Sequence, residues 1–207
     1  VIYSGNEYGW NGHLNDIQGC SLQLNNIKII NNAGLGISNP RNGFQFLNNE
    51  YLEFSNIFIS ENHDLHGLTI LNNNVGDADV SLINVEIENN YRGLFLDWRD
   101  STYLLENVSI HDNDTTGLYI GRFIDAAQLE NILLYNNSTN LNINQETPVS
   151  TVSHLTSVNG DIILQNHITI INSIIDLNPD HNIIDYGSAT IQYSLITTGW
   201  EGEGNID

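Results

Sequence analysis

A short pattern recurs along most of this chain and restricts its fold more than any other feature. It opens with Asn and an alternating apolar run, reaches a second Asn six residues later, and continues into another alternating run. Residues 84–96, NVEIENNYRGLFL, show the whole pattern. Period-two alternation is typical of strands, and Asn with Gly between two such runs is typical of turns. The pattern therefore predicts short strands joined by tight turns.

The opening Asn recurs at steps of 30, 28, 23 and 24 residues, at Asn26, Asn56, Asn84, Asn107 and Asn131. A further alternating run precedes each of them, so each repeat contains three strands. Repeats of this length are typical of solenoids, whose units bury their apolar faces by stacking. A left-handed β-helix would show a hexapeptide rhythm, which is absent. We predict an all-β fold in which residues 1–207 form a single right-handed parallel β-helix domain of about eight coils, with three short strands per coil.

The second Asn of each repeat is predicted to point inward. Successive coils lie roughly 4.8 Å apart, so equivalent amides can bond to one another and to turn backbone. This internal Asn ladder would be structural rather than catalytic. Its predicted members are Asn32, Asn62, Asn90, Asn113 and Asn137, and Asn159 is expected to continue the row.

The charge balance excludes some partners. Lys and Arg total 5 against 25 Asp and Glu, giving a formal net charge of -20. Such a chain repels duplex nucleic acid and anionic membrane surfaces. No apolar stretch approaches the ~20 residues that span a bilayer, so we expect no membrane insertion. The single Cys20 has no partner for an internal disulfide and no companion metal ligands.

Both termini of a β-helix normally need a cap, because an uncapped coil exposes apolar core and open strand edges. The sequence shows no amphipathic capping helix at either end. We therefore expect residues 1–207 to be a piece of a longer chain. The alternative is that other subunits cover the ends.

Three features of the sequence resemble the bacterial right-handed β-helix repeat proteins related to pectate lyases and chondroitinase B. They are the N-V-x-I-x-x-N-x-x-x-G-L-x-I repeat, the segment 172–175, and the segment 193–196 with the Gly-rich stretch 199–207. The resemblance implies secretion or display on the outer surface of a Gram-negative bacterium, often as cargo of type IX secretion. It implies flanking domains or the secretion machinery as partners. The family includes lyases, epimerases, hydrolases and adhesins, so the resemblance does not select an activity.

Carbohydrate binding is the most concrete site hypothesis from the sequence. Two Arg residues follow the third strands of adjacent coils at nearly equal offsets, and aromatic residues flank them. The resemblance implies a substrate cleft beside such loops, where Arg and aromatic rings suit sugars. The alternative is that the Arg residues neutralise neighbouring Asp residues. The candidates are Trp98, Arg99, Arg122, Phe123 and Arg92.

A metal site is a second hypothesis. His63, Asp64 and His66 form the densest group of metal-capable side chains, and a His pair with an acid could bind a divalent ion. Asp- and Asn-rich turns could hold Ca²⁺, the one cofactor we consider. His111, Asp112 and Asp114 form a similar group. Solvated turn residues explain both groups equally well.

Together these features favour a non-catalytic secreted or cell-surface segment, an acidic rod or adhesin that could bind a polysaccharide or cell-surface glycan. A polysaccharide lyase or epimerase acting on uronate-containing glycans is the first alternative, with Arg99 and Arg122 in its site and His63 and His66 as further candidates for it. Such enzymes need a base and a cation for the uronate carboxylate. A self-assembling filament is the second alternative.

Overall fold

A computed structural model describes most of the central and C-terminal chain and short parts of the N-terminal region. The described residues are 2–4, 10–11, 22–30, 37–38, 50–62, 66–72, 78–98, 101–121, 126–144, 150–165, 167–187 and 189–206.

These residues form strands joined by short turns. In chain order the strands are β1 (Ile2–Ser4), β2 (Trp10–Asn11), β3 (Leu22–Ile30), β4 (Ile37–Ser38), β5 (Glu50–Ser60), β6 (His66–Asn72), β7 (Ala78–Glu88), β8 (Arg92–Trp98), β9 (Ser101–His111), β10 (Thr116–Ile120), β11 (Ala126–Tyr135), β12 (Thr139–Asn144), β13 (Ser150–Val158), β14 (Asp161–Gln165), β15 (Ile168–Ile171), β16 (Ile174–Asp176), β17 (Ile183–Asp185), β18 (Thr190–Gln192) and β19 (Leu195–Ile196).

The strands belong to two parallel sheets. Sheet A has the order β1-β3-β5-β7-β9-β11-β13-β15-β18. In the same sheet, β16 pairs with β13 and with β19. Sheet B has the order β17-β14-β12-β10-β8-β6-β4-β2. From β5 to β14 the chain alternates between the sheets, one strand in each. The fold is an all-β parallel β-solenoid of about five turns, and no described residue lies in a helix. The predicted all-β parallel β-helix is therefore confirmed.

The long strands of sheet A bend at the opening Asn of each repeat. Asn56, Asn84, Asn107 and Asn131 have φ between 52° and 55°, in the left-handed region that Asn tolerates better than most residues. The pairing register skips these residues: Ser55 pairs with Ile83, and Ile57 with Val85. Two of the three runs predicted in each repeat therefore join into one bent strand.

Side chains of the same kind stack from coil to coil inside the solenoid. One column of sheet A contains Ile59, Ile87 and Ile110, and one column of sheet B contains Leu94 and Leu118. All five are at most 1% exposed. Burying each such side chain stabilises the fold by about 1.5–3 kcal/mol. The repeat spacing thus produces a continuous apolar core.

A row of buried Asn side chains lies where the chain leaves sheet A for sheet B. Asn90 Oδ1 accepts the backbone N–H and the side-chain Nδ2–H of Asn62, each at 3.0 Å. The same pair of bonds joins Asn90 to Asn113 at 3.0 and 3.2 Å, and Asn113 to Asn137 at 3.0 Å. The four residues are at most 2% exposed. Asn32, the first predicted member, lies outside the described residues.

The prediction for Asn159 was wrong. Asn159 has φ 52° and points outward, where its Nδ2 donates to Asn136 Oδ1 at 3.4 Å. The inward position belongs to Gly160, and a Cβ there would lie 2.4 Å from Asn140 Cγ. Asn140 supplies the missing amide: its Oδ1 accepts from Asn137 Nδ2 at 2.9 Å.

Candidate functional site

An open groove runs across the outward face of sheet A, along the strand halves that precede the Asn bends. Its volume is about 620 Å³, within the ~300–1,000 Å³ usual for small-ligand sites. Its described lining consists of Tyr51, Asp79, Val80, Ser81, Thr102, Tyr103, Leu104, Ala126, Ala127, Gln128, Thr151 and Ser153.

The strand register explains why these side chains meet. Tyr51 pairs with Asp79, Asp79 with Thr102, and Thr102 with Ala126, so the four residues form one outward row across four coils. Since alternate residues of a strand point to opposite faces, the row stays on the outside while its neighbours enter the core. Its last member among the described residues is the small side chain of Ala126.

Hydroxyl and carboxylate groups give the groove its polar character. Tyr51 Oη donates to Glu53 Oε2 at 3.1 Å, and the Thr102 hydroxyl donates to Asp79 Oδ1. Burial raises the pKa of Tyr51, and the hydrogen bond to Glu53 and the charges of Glu53 and Asp79 add to the rise. The Tyr51 hydroxyl therefore stays protonated at neutral pH and remains a hydrogen-bond donor.

The electrostatics of the groove are acidic. Among the described lining residues there is a carboxylate, Asp79, and no Lys, Arg or His. A second carboxylate, Glu53, accepts the hydrogen bond from Tyr51 Oη at the edge of the groove. A ligand with hydroxyl or ammonium donors can satisfy these oxygens, whereas a uronate carboxylate would be repelled unless a cation accompanied it.

The predicted carbohydrate-binding residues lie elsewhere or outside the described chain. Arg92 opens β8 in sheet B, with its guanidinium carbon 5.7 Å from the Tyr91 ring centroid. Trp98 ends β8 and pairs with Asn72. The remaining candidates, Arg99, Arg122 and Phe123, fall outside the described residues. The described structure thus brings no two of the five together in the groove.

The predicted metal-binding residues divide in the same way. His63 and Asp64 fall outside the described residues, and His66 opens β6 opposite Arg92. In the second group, His111 Nδ1 lies 2.8 Å from Asp112 Oδ2. The other ring nitrogen, Nε2, lies 3.6 Å from both Glu86 Oε1 and Glu88 Oε2. Glu86 and Glu88 belong to the adjacent coil, not to the turn that contains Asp112 and Asp114.

Sequence reasoning missed the groove residues, although a signal existed. Tyr51, Asp79 and Thr102 each stand five residues before an opening Asn, so alignment of the repeats places them in one row. In the same way, Glu88 and His111 each stand four residues after an opening Asn. The shared residues define the repeat, whereas the residues of both sites differ from one repeat to the next and are therefore not part of the repeat motif.

Comparison of the chain with family models, curated proteins and solved structures gave no match. In the described residues, no helix has the length and apolar character needed to cross a membrane. The resemblance to bacterial β-helix repeat proteins therefore rests on the repeat motifs alone.

Proposed function

We propose that this chain is a non-catalytic segment of a secreted or cell-surface right-handed β-helix, of the kind found in bacterial β-helix repeat proteins, and that it binds carbohydrate in the sheet A groove. The segment would act as a rigid acidic rod. The groove carries the proposal, because it combines an aromatic ring with hydroxyl and carboxylate groups on a rigid parallel sheet.

The proposed count of about eight coils is supported by a row of left-handed residues, one at each bend of sheet A. The row contains Asn26, Asn56, Asn84, Asn107, Asn131, His154, Asn172 and Tyr193. The last three are aligned with the others by strand pairing, since Glu130 pairs with Ser153, Ser153 with Ile171, and Ile171 with Gln192.

The chemistry of the groove selects the sugar class. Asp79 and Glu53 accept hydrogen bonds from sugar hydroxyls or from an amino group, and carboxylates are strong acceptors. The Tyr51 ring, 37% exposed, offers an apolar face for a pyranose ring. Neutral or amino sugars fit this set, whereas a uronate polymer would face like charges. The groove therefore favours a binding role over a uronate lyase.

Titration calorimetry with neutral, amino-sugar and uronate oligosaccharides tests the proposal. We expect binding of the first two classes, weakened at least tenfold by Tyr51→Ala and by Asp79→Asn. Tyr91→Ala is the matched control for the aromatic change, because Tyr91 is also 37% exposed but lies in the turn before β8. It should leave binding unchanged.

Two results would contradict the proposal. Binding that persists unchanged in Tyr51→Ala and Asp79→Asn would place the site outside the groove, for instance at Arg99 and Arg122. Release of an unsaturated product from a uronate polymer, followed by absorbance with and without Ca²⁺, would instead support a lyase.

A further inference from the structure

Three ionisable side chains from two adjacent coils meet on the outer face of sheet A, away from the groove. Glu86 and Glu88 lie on β7, and His111 lies on β9 directly opposite Glu88. Their nearest ligand atoms all lie within 4.8 Å of one another. The His111 side chain is 6% exposed, whereas the Glu86 side chain is 51% exposed and Glu88 is partly buried. A buried ring thus faces two carboxylates that solvent can reach.

The orientation of the imidazole is fixed from two sides. His111 Nδ1 donates to Asp112 Oδ2 at 2.8 Å, and the ring stacks on Tyr135 with centroids 4.3 Å apart and planes 6° apart. Asp112 is in turn held by Asn136 Nδ2 at 3.0 Å.

A carboxylate accepts hydrogen bonds, so the 2.8 Å contact with Asp112 Oδ2 places the proton of a neutral imidazole on Nδ1. The lone pair then lies on Nε2, on the side of Glu86 and Glu88. Metal-bound His residues commonly show this arrangement, with the second ring nitrogen donating to a carboxylate. Asp112 therefore prepares Nε2 to act as a ligand.

The distances from Nε2 to the two carboxylates exceed a direct hydrogen bond and fit ligands around a metal ion. Nε2 lies 3.6 Å from both Glu86 Oε1 and Glu88 Oε2, beyond the ~2.7–3.2 Å of an N–H···O hydrogen bond. A tetrahedral Zn²⁺ with ligands at ~2.0–2.2 Å would hold its nitrogen and oxygen ligands about 3.4 Å apart. The spacing thus matches two edges of a tetrahedron and exceeds an N–H···O hydrogen bond.

We propose that His111, Glu86 and Glu88 bind a divalent transition-metal ion of the Zn²⁺ class. The set offers one imidazole nitrogen and two carboxylate oxygens, which leaves the fourth position to water. Ca²⁺ is a poorer fit, since it takes 6–8 oxygen ligands. The ion would join two adjacent coils, and the acidic chain would raise the local cation concentration.

Calorimetric titration of the chelator-treated full chain with Zn²⁺ tests the proposal. We expect one ion per chain at this site, weakened at least tenfold by Glu86→Gln and by His111→Gln. His181→Gln is the histidine control, because His181 Nδ1 faces a single carboxylate, Asp161, at 3.4 Å. Glu106→Gln, on β9, is the carboxylate control. Both controls should bind Zn²⁺ like the wild type.

Co²⁺ provides a second readout that does not depend on affinity. A tetrahedral site of mixed nitrogen and oxygen ligands should give intense visible bands with Co²⁺, and Glu86→Gln should reduce them. Glu86 is half exposed, so this variant is expected to fold even if His111→Gln does not.

Several outcomes would overturn the proposal. They are absence of Zn²⁺ binding, Zn²⁺ binding that is unchanged in Glu86→Gln, and stronger binding of Ca²⁺ than of Zn²⁺ at this site. Binding abolished instead by changes at His63 or His66 would assign the ion to that turn.

Discussion

Side-chain oxygens complete the hydrogen bonding of different bends in the central and C-terminal coils. The Asn row lies at the turn where the chain leaves sheet A, whereas a Ser row, Ser173 and Ser194, lies at the bend within sheet A. In the central coils Asn113 follows the left-handed Asp112, and its Nδ2 donates to the carbonyl of His111 at 2.9 Å. In the C-terminal coils Ser173 follows the left-handed Asn172, and its Oγ donates to the carbonyl of Ile171 at 2.8 Å. Each side-chain oxygen also accepts a backbone N–H from the preceding coil.

The two rows differ in what the side chain has left to donate. An amide has two N–H groups, so Asn90 Nδ2 bonds its own strand and also reaches Asn113 Oδ1 at 3.2 Å. A hydroxyl has one, and Ser173 uses it on Ile171. The Ser row is therefore linked only through backbone N–H groups: Ser173 N–H donates to Ser194 Oγ at 3.1 Å.

The two rows use the same hydrogen bond at different bends. In each row the residue after a left-handed position directs its N–H along the solenoid axis to a side-chain oxygen of the next coil. Asn and Ser both supply that oxygen, but only Asn also joins neighbouring side chains. We therefore expect the central row to contribute more stability than the C-terminal row.

Asn113→Ala should cause the largest loss. It removes the acceptor of Asn90 N–H and Nδ2, and it takes from Asn137 Oδ1 one of its two donors, since the backbone N–H of residue 113 remains. Since each unsatisfied buried group costs about 1–3 kcal/mol, we expect the free energy of unfolding to fall by about 3 kcal/mol or more. Urea denaturation measures it.

Ser138→Ala is the matched control for that loss. Ser138 is exposed and donates one hydrogen bond, to Asp114 O at 2.8 Å. The control should change stability by about 0.5 kcal/mol or less. An equal loss in both variants would show that the buried amide row contributes no more to the free energy of unfolding than an exposed hydrogen bond does.

Exchange of Asn140 and Gly160 should have the next largest effect. It tests whether Asn140 replaces the inward amide that Gly160 lacks. Asn140 stands where Gly67, Gly93 and Gly117 stand in earlier coils. Gly160→Asn alone places a Cβ 2.4 Å from Asn140 Cγ, and such overpacking costs about 1–3 kcal/mol.

Asn140→Gly alone removes the acceptor of Asn137 Nδ2. The double variant restores the earlier pattern, so its loss should be smaller than the sum of the single losses by about 1 kcal/mol or more. Urea denaturation of all three variants gives the coupling free energy. Additive losses would mean that Asn140 does not replace the missing inward amide.

Ser173→Ala should have a smaller effect than Asn113→Ala. Leu155 N–H loses its acceptor at 3.1 Å, and Ile171 O loses one donor. One unsatisfied buried N–H predicts a loss of about 1–2 kcal/mol, read from the urea midpoint. A loss as large as that of Asn113→Ala would remove the distinction between the two rows.

Much of the fold was predictable because it depends on spacing. The six-residue offset from the opening Asn located Asn62, Asn90, Asn113 and Asn137, all of which are buried. The same offset fails at Asn159 because the bend of that coil is His154, and six residues beyond it stands Gly160. A bend occupied by His is invisible to a search for Asn.

The candidate sites were harder to predict because they join residues that no motif connects. Tyr51 and Asp79, or Glu88 and His111, become neighbours only through strand register across coils. His111 was identified with its sequence neighbours Asp112 and Asp114, whereas Glu86 and Glu88 face its Nε2. Local chemistry suggested the residue, and only the pairing of β7 with β9 supplied its partners.

The smallest expected effect concerns the end of the Ser row. Ser194 N–H donates to Asn205 Oδ1 at 3.0 Å, and Tyr193 Oη donates to Glu203 Oε1 at 2.6 Å, holding the segment that carries Asn205. This hydrogen bond, with smaller effects of burial and of the Glu203 charge, raises the pKa of Tyr193.

A group with a raised folded-state pKa contributes stability below its unfolded pKa, ~10 for Tyr, and loses it as pH rises through the folded pKa. Tyr193→Phe should therefore lower the urea midpoint slightly near pH 8, and the difference from wild type should shrink above pH ~10. Tyr186→Phe, an exposed tyrosine in the preceding coil, should show neither change. If the difference at Tyr193 stayed constant with pH, the ring's packing over Gly204 rather than its hydroxyl would stabilise the end of the row.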